Sequence, residues 1–180
     1  ICKEKDTFID IGCAEGYYTT GVAKTSCIDT IIGVDISDSA LEQARKSASI
    51  NKVDHKCQFF SKIKPAAKLI KGKSLIMIDV DGSEISVIKE LMSGLSTSKK
   101  QASELLIETD FHPDGRSNEN EISGELIKHG FSVTKSIEQS IHHRFSDISH
   151  QLTTSLLDQV IYGLEGRPSN QKWLIAKPSN

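Results

Sequence analysis

The chain lacks any Cys-x-x-Cys pair and any histidine at zinc-ligand spacing, and its four cysteines stand apart at 2, 13, 27 and 57. That pattern argues against a structural zinc site and reads as reduced thiols in a cytosolic protein. Long hydrophobic runs are also missing: the longest are a few residues, against the roughly 18 that a membrane-spanning helix needs, and no charged-then-apolar leader precedes the first strand. The expectation is a soluble, cytoplasmic protein with no membrane partner. Nor does one sign of charge dominate. The 22 Lys and Arg oppose 24 Asp and Glu, a net of −2 with a pI of about 6.3. This gives no basic footprint for a duplex, and no nucleic-acid partner is expected. Internal repeats and low-complexity tracts are absent as well. What remains is 180 residues, 37% hydrophobic and 26% charged, which suits a single domain over 1–180 able to bury its own core. The chain begins at Ile1 rather than Met, which leaves room for an upstream segment.

Short apolar runs alternate with longer helical patterns, the sequence sign of βαβ units around a mostly parallel sheet. Runs at 7–11, 31–34, 56–60, 75–80 and 104–108 predict five strands, and most do not alternate in polarity, as expected for strands covered on both faces. Helices are predicted at 17–24, 39–51, 84–91 and 119–129. Leu41, Ala44, Arg45 and Ala48 fall at helical spacing, Ser37 and Asp38 offer an N-cap, and Gly130 supplies a left-handed stop. Residues 131–137 and 172–176 read as strands six and seven in a hairpin-like return, with a helical stretch expected around 146–162. The segment 95–103 is read as a polar connector inside the domain. The fold class that follows is α/β: a Rossmann-like, seven-stranded, mostly parallel sheet with helices on both faces and an antiparallel final strand.

The first strand runs into Asp10-Ile11-Gly12-Cys13-Ala14-Glu15-Gly16-Tyr17-Tyr18-Thr19, a turn with two glycines and then a helix. Such a turn lets backbone approach a ligand at the carboxyl ends of the strands. Its spacing is G-x-x-x-G, so the dinucleotide fingerprint G-x-G-x-x-G is not met. The second strand ends nineteen residues past Gly16 in Asp35, where one carboxylate can accept hydrogen bonds from both hydroxyls of a ribose. Together they point to an adenosine-type ligand.

Residues 10–19 with Asp35 resemble motifs I and II of the class I S-adenosylmethionine-dependent methyltransferases. Within that superfamily, Ile76-Met77-Ile78-Asp79-Val80-Asp81-Gly82-Ser83-Glu84 resembles the I-K-I-D-V-E-G-x-E stretch of the FkbM family, and residues 12–19 resemble its G-A-N-x-G-Y-Y-[ST] loop. The likeness covers residues 6–110. It departs where FkbM members often end the second strand in Glu-Pro and this chain has Asp35-Ile36, and where Glu15 replaces an apolar or small residue. The resemblance implies S-adenosyl-L-methionine held by Asp10, Gly12, Cys13, Ala14, Glu15, Gly16, Tyr18, Asp35, Ile36, Ser61 and Asp79. It also implies transfer of the methyl group to a hydroxyl of a sugar or natural-product small molecule, with Asp79 facing the methionyl end or the acceptor. Two rivals stand beside it: a scaffold that keeps the cofactor fold without catalysis, and a nicotinamide-dependent oxidoreductase using Asp35 for ribose.

Asp79, Asp81 and Glu84 follow the fourth strand and Glu108, Asp110 and His112 the fifth, which brings six titratable groups to the edge that carries the glycine loop. One use for this acidity is a hard divalent cation such as magnesium on Asp79, Asp81 and Asp110. The other reading is a helix start, with Asp81 as N-cap and Glu84 completing a capping box. His112 lies in Asp110-Phe111-His112-Pro113-Asp114-Gly115 and competes with Asp79 as the base for an acceptor hydroxyl. His55, His129, His142, His143 and His150 form no ligand set. Gly72-Lys73-Ser74 imitates a P-loop end but precedes a strand and reads as a turn. The lysines at 62, 64, 68, 71 and 73 read as solvated surface. Arg144, Arg167 and Lys172 are candidate acceptor-binding cations.

Overall fold

The computed structural model describes residues 2, 4–138 and 172–179. Seven strands form one sheet: β1 Thr7–Ile11, β2 Thr30–Val34, β3 Cys57–Phe60, β4 Ser74–Ile78, β5 Ser103–Glu108, β6 Phe131–Glu138 and β7 Lys172–Pro178. Their order is β3-β2-β1-β4-β5-β7-β6. The first five run parallel, and β7 lies antiparallel to both β5 and β6. The strand order reverses at β1 and β4, the place where open α/β sheets bind ligands beyond the strands' carboxyl ends.

Strand periodicity sorts the two faces. Ile9, Ile11, Ile32, Val34, Ile76 and Ile78 enter one buried cluster with α3 (Ile63–Lys68), α4 (Glu84–Gly94) and α6 (Glu119–Lys128). Phe8, Ile31, Leu75 and Met77 point the other way, toward α1 (Tyr17–Thr25) and α2 (Asp38–Ile50). Because β1 and β4 are buried on both faces, their sequences do not alternate in polarity: β4 is apolar after Ser74, and in β1 the exceptions are the buried Thr7 and Asp10. The start of α2 is fixed by Ser37, whose hydroxyl accepts from the Ala40 amide at 3.2 Å, and Gly130 ends α6 at φ 78°.

Four readings change at the element ends. The fourth strand stops at Ile78 rather than running to residue 80, so Asp79 and Asp81 sit in the turn beyond it and do not alternate as strand neighbours. The connector 95–103 contains a short helix, α5 (Thr97–Gln101), started by the Ser96 hydroxyl, and α3 occupies the start of the lysine-bearing stretch. Lys56 belongs to a 3-10 turn rather than to β3. Helix α4 is entered through Ser83, not Asp81, and Glu84 Oε1 reaches back to the Gly82 amide at 2.9 Å. The helix expected around 146–162, together with His142, His143, Arg144, His150 and Arg167, lies outside the described residues.

Candidate active site

Beyond the carboxyl ends of β1, β2 and β4 lies a cavity of about 530 Å³. Its walls come from the β1 loop (Gly12, Ala14), the end of β2 (Asp35, Ile36), the residues after β3 (Ser61, Lys62, Ile63), the β4 turn (Asp79, Val80, Asp81) and α4 (Ser83, Ser86, Val87, Glu90). Its size falls within the range of small-molecule sites. Two non-glycine residues with left-handed backbone line it, Ala14 at φ 44° and Asp81 at φ 41°. Such strain persists only where surrounding contacts enforce it, and it concentrates at ligand sites.

The glycine loop is held by packing and by its own hydrogen bonds. A Cβ on Gly12, at φ 89°, would fall 1.7 Å from the Asp79 carbonyl oxygen, and one on Gly16 would fall 3.0 Å from the Ala44 Cβ. The amides of Gly12 and Cys13 both donate to the Val34 carbonyl, and that of Gly16 donates to the Cys13 carbonyl. The Ala14 amide donates to Asp35 Oδ2 at 2.9 Å, while the Ser37 amide donates to Oδ1 at 2.8 Å. Asp35 is thus fixed at the cavity wall, and each oxygen keeps a lone pair for a ligand.

Asp10 lies behind this loop, 1% exposed, with Oδ2 accepting the Thr19 hydroxyl at 2.6 Å and Oδ1 without a partner. Burial pushes its carboxyl up to about 6; hydrogen bonds from the Thr19 side chain and backbone pull it down, and the charges of Asp79 and Asp35 add to the rise. Its bond to Thr19 ties β1 to the first turn of α1. The Cys13 thiol is buried, and a Cβ on Gly33 would fall 3.0 Å from its sulfur; burial first, then the charges of Asp10 and Asp35, push it up to about 12. All four cysteines are free thiols.

Gly12, Ala14, Asp35, Ile36, Ser61 and Asp79 therefore meet around one cavity. Asp10, Cys13, Glu15, Gly16 and Tyr18 stand outside its wall. Glu15 lies in a groove with Lys46 and Asn51, and Tyr18 is edge-on to Trp173 at 6.3 Å. The sequence reading missed Lys62, Ser83, Ser86, Val87 and Glu90. Those on α4 were detectable as the face of a helix that starts right after the Asp79 motif.

The five acids and the histidine do not all share this cleft. Asp79 and Asp81 line it. Glu84 is buried beside it, its Oε2 accepting from Asn118 Nδ2 at 2.8 Å, and burial raises its carboxyl above the ordinary range. Asp110 accepts from the Phe111 amide, and His112 Nε2 contacts Glu121 Oε1 at 3.0 Å on α6. Among the described residues no three His, Cys, Asp or Glu side chains come together to hold a metal ion, so the magnesium set expected on Asp79, Asp81 and Asp110 is not formed. The strand ending at Ile78 and the turn through Asp81 and Gly82 account for this.

Comparison with known proteins agrees with this geometry. Residues 2–69, less than half of the chain, match a family described as a methyltransferase domain. No curated protein matches the sequence. The fold is shared with Sp1610 of Streptococcus pneumoniae in complex with S-adenosyl-L-methionine (TM-score 0.66, 14% identity, 100% of this chain and 69% of that one). It is shared also with the B. subtilis m1A22 tRNA methyltransferase (0.64, 13%, 97% and 60%) and with the StiE O-MT segment 942–1257 (0.64, 12%, 97% and 68%). This chain spans about two thirds of those chains or less. The protein has the fold of the S-adenosylmethionine-dependent methyltransferases.

One expectation is corrected by these likenesses. A tRNA methyltransferase stands among the structures that share the fold, so the reading that no nucleic acid is involved does not hold. Net charge averages over the whole surface and carries no information on local clusters. Among the described residues no helix is long and apolar enough to cross a membrane.

Proposed function

We propose that this chain is an S-adenosylmethionine-dependent methyltransferase acting on an oxygen of its acceptor. The observation that carries the cofactor is the Asp35 carboxylate, held at the cavity wall by two backbone amides with lone pairs left over for ribose hydroxyls. The same loop argues against a dinucleotide. The amides of residues 12, 13, 14 and 16 are spent within the protein and so are not free to hold a pyrophosphate. Ile36, 95% exposed at the cavity rim, and Ile63 supply an apolar clamp for the adenine ring. When bound, the cofactor supplies an electrophilic methyl on a sulfonium.

An oxygen acceptor is supported by the likeness of residues 76–84 to an O-methylating family and by the shared fold of the StiE O-MT segment. Asp79, at the β4 end of the cavity, is placed to take the acceptor proton as the new C–O bond forms. His112, engaged with Glu121, does not line this cavity. The enzyme's remaining contribution is alignment of the acceptor within a cleft that excludes water. Calorimetry with S-adenosylhomocysteine and with NAD tests the cofactor, the former binding and the latter not. Product analysis after incubation with labelled cofactor and hydroxyl-bearing acceptors, RNA included, tests the chemistry. A chain that binds the cofactor and never turns over would be a binding domain.

A further inference from the structure

The charge balance of −2 hides an uneven distribution. From Asp54 to Asp79 the sequence has no acid, yet it carries Lys56, Lys62, Lys64, Lys68, Lys71 and Lys73. Removing these six from the 22 Lys and Arg leaves 16 cations against all 24 acids. The structure gathers this excess. Ile63, Ala66, Ala67 and Ile70 are buried in the core, which turns Lys64, Lys68 and Lys71 outward, and Lys62 opens directly into the cavity. Lys73 reaches Glu4 only at 4.0 Å, and among the described residues no ion pair engages Lys62, Lys64, Lys68 or Lys71. Lys99 from α5 donates to the carbonyls of Ala67 and Lys68 at 3.0 and 2.8 Å, which fixes the end of α3 and adds a further cation beside it. The acids beside this row are Asp6, which accepts from the Lys73 amide at 2.8 Å, Glu4 near Lys73, and Asp79, Asp81 and Glu90, which share the cavity wall with Lys62.

We infer that the outer face of α3 and the turn after it dock the phosphodiester backbone of a single-stranded nucleic acid, whose acceptor nucleoside enters the cavity past Lys62. Unpaired, exposed lysines leading to one mouth match a chain of regularly spaced phosphates. A single strand is favoured because its nucleotide reaches the cleft without the few kcal/mol of unpairing and unstacking that flipping out of a duplex costs. An anionic membrane fits less well: surface-binding helices insert an apolar face, and that face of α3 is already buried in the core. The direction of the strand toward the cavity rests on the methyl-transfer reading; the docking surface itself does not.

The test is fluorescence anisotropy of the full chain with a labelled, mixed-sequence oligoribonucleotide of about 12 nucleotides. Four phosphate contacts give a slope of log affinity against log salt near −3, so binding should fall roughly 50-fold from 50 to 200 mM salt. The triple variant K64Q/K68Q/K71Q should bind more weakly and keep only about a threefold salt effect. Its affinity for S-adenosylhomocysteine, measured by calorimetry, should stay at the wild-type value, which also reports that it is folded. No binding at 50 mM salt, an unchanged slope in the triple variant, or sedimentation with phosphatidylserine vesicles in place of RNA binding would overturn the inference. Lysine-dependent RNA binding without affinity for S-adenosylhomocysteine would uphold the surface and sink the methyl-transfer reading. Affinity for S-adenosylhomocysteine without RNA binding would do the reverse.

Discussion

The Ala14 amide donates to Asp35 Oδ2 at 2.9 Å, joining the loop after β1 to the end of β2 across 21 residues of sequence. That one bond holds a left-handed alanine and aims a carboxylate into the cavity. Asp35→Ala loses both the loop tie and the charge-assisted bonds to ribose. Affinity for S-adenosylhomocysteine should fall by about 1.5–3 kcal/mol, roughly tenfold or more. Calorimetry showing wild-type affinity would remove Asp35 from the cofactor site.

Asp10 makes stability depend on pH. Its carboxyl titrates at about 6 in the folded chain, against an ordinary 3.8, so between those values the folded state keeps a proton that the unfolded state has released. Its contribution to stability is full below about pH 4 and is lost as the pH rises through about 6. Asp10→Asn keeps an acceptor for Thr19 and never ionises. The variant should match wild type in acid and exceed it at pH 8 by up to about 3 kcal/mol, from a shift of about two units. Urea unfolding at pH 4 and pH 8 measures both, and a variant less stable than wild type at pH 8 would show that the charge is needed where it lies.

Gly12 is required by its neighbours. At φ 89°, with the Asp79 carbonyl 1.7 Å from where a Cβ would stand, Gly12→Ala must displace the β4 turn or the loop. The expected cost is at least about 2–3 kcal/mol, read as a clear drop in Tm. An alanine variant with unchanged Tm would mean that the loop and the turn are not in this contact.

Glu84 ties two elements together, accepting from the Gly82 amide with Oε1 and from Asn118 Nδ2 with Oε2 while fully covered. Glu84→Ala leaves the buried Asn118 amide unpaired, while the exposed Gly82 amide can turn to water, at a cost of about 1–3 kcal/mol. Glu84→Gln keeps one acceptor and should lie between. Equal stability of all three proteins in urea would show that water replaces the carboxylate.

Asp79 and His112 are separable by substitution. With Asp79 as the proton acceptor, Asp79→Asn should lower kcat by about 10²–10⁴-fold with a smaller change in cofactor affinity, whereas His112→Gln should leave kcat close to wild type. The opposite outcome in steady-state assays would move the base to His112 and require the loop at 110–118 to fold over the cavity.

Sequence alone determined the sheet and the edge of it that carries the glycine loop. Doubly buried strands such as β1 and β4 carry apolar residues on both faces, with the buried Asp10 as the charged exception, so their number and sequence order are written plainly, and β1 falls at the residues expected. Local chemistry fixed Ser37 as the cap of α2, Gly130 as the stop of α6, and Asp35 as the carboxylate beside the glycine loop, because each depends on residues close in sequence. Tertiary structure decided what depends on long-range approach. Whether Asp79, Asp81 and Asp110 converge hinges on where β4 stops and how Asp81 and Gly82 turn, and a difference of two residues in a strand end carries their carboxylates apart. Whether a glycine faces a ligand or a neighbour hinges on packing: Gly12 meets Asp79 from the turn after β4, 67 residues away. The lysines after β3 were visible as letters. Only burial of Ile63, Ala66, Ala67 and Ile70 shows which side they occupy and that their row begins at the cavity mouth, since a short helix takes its orientation from the core it covers.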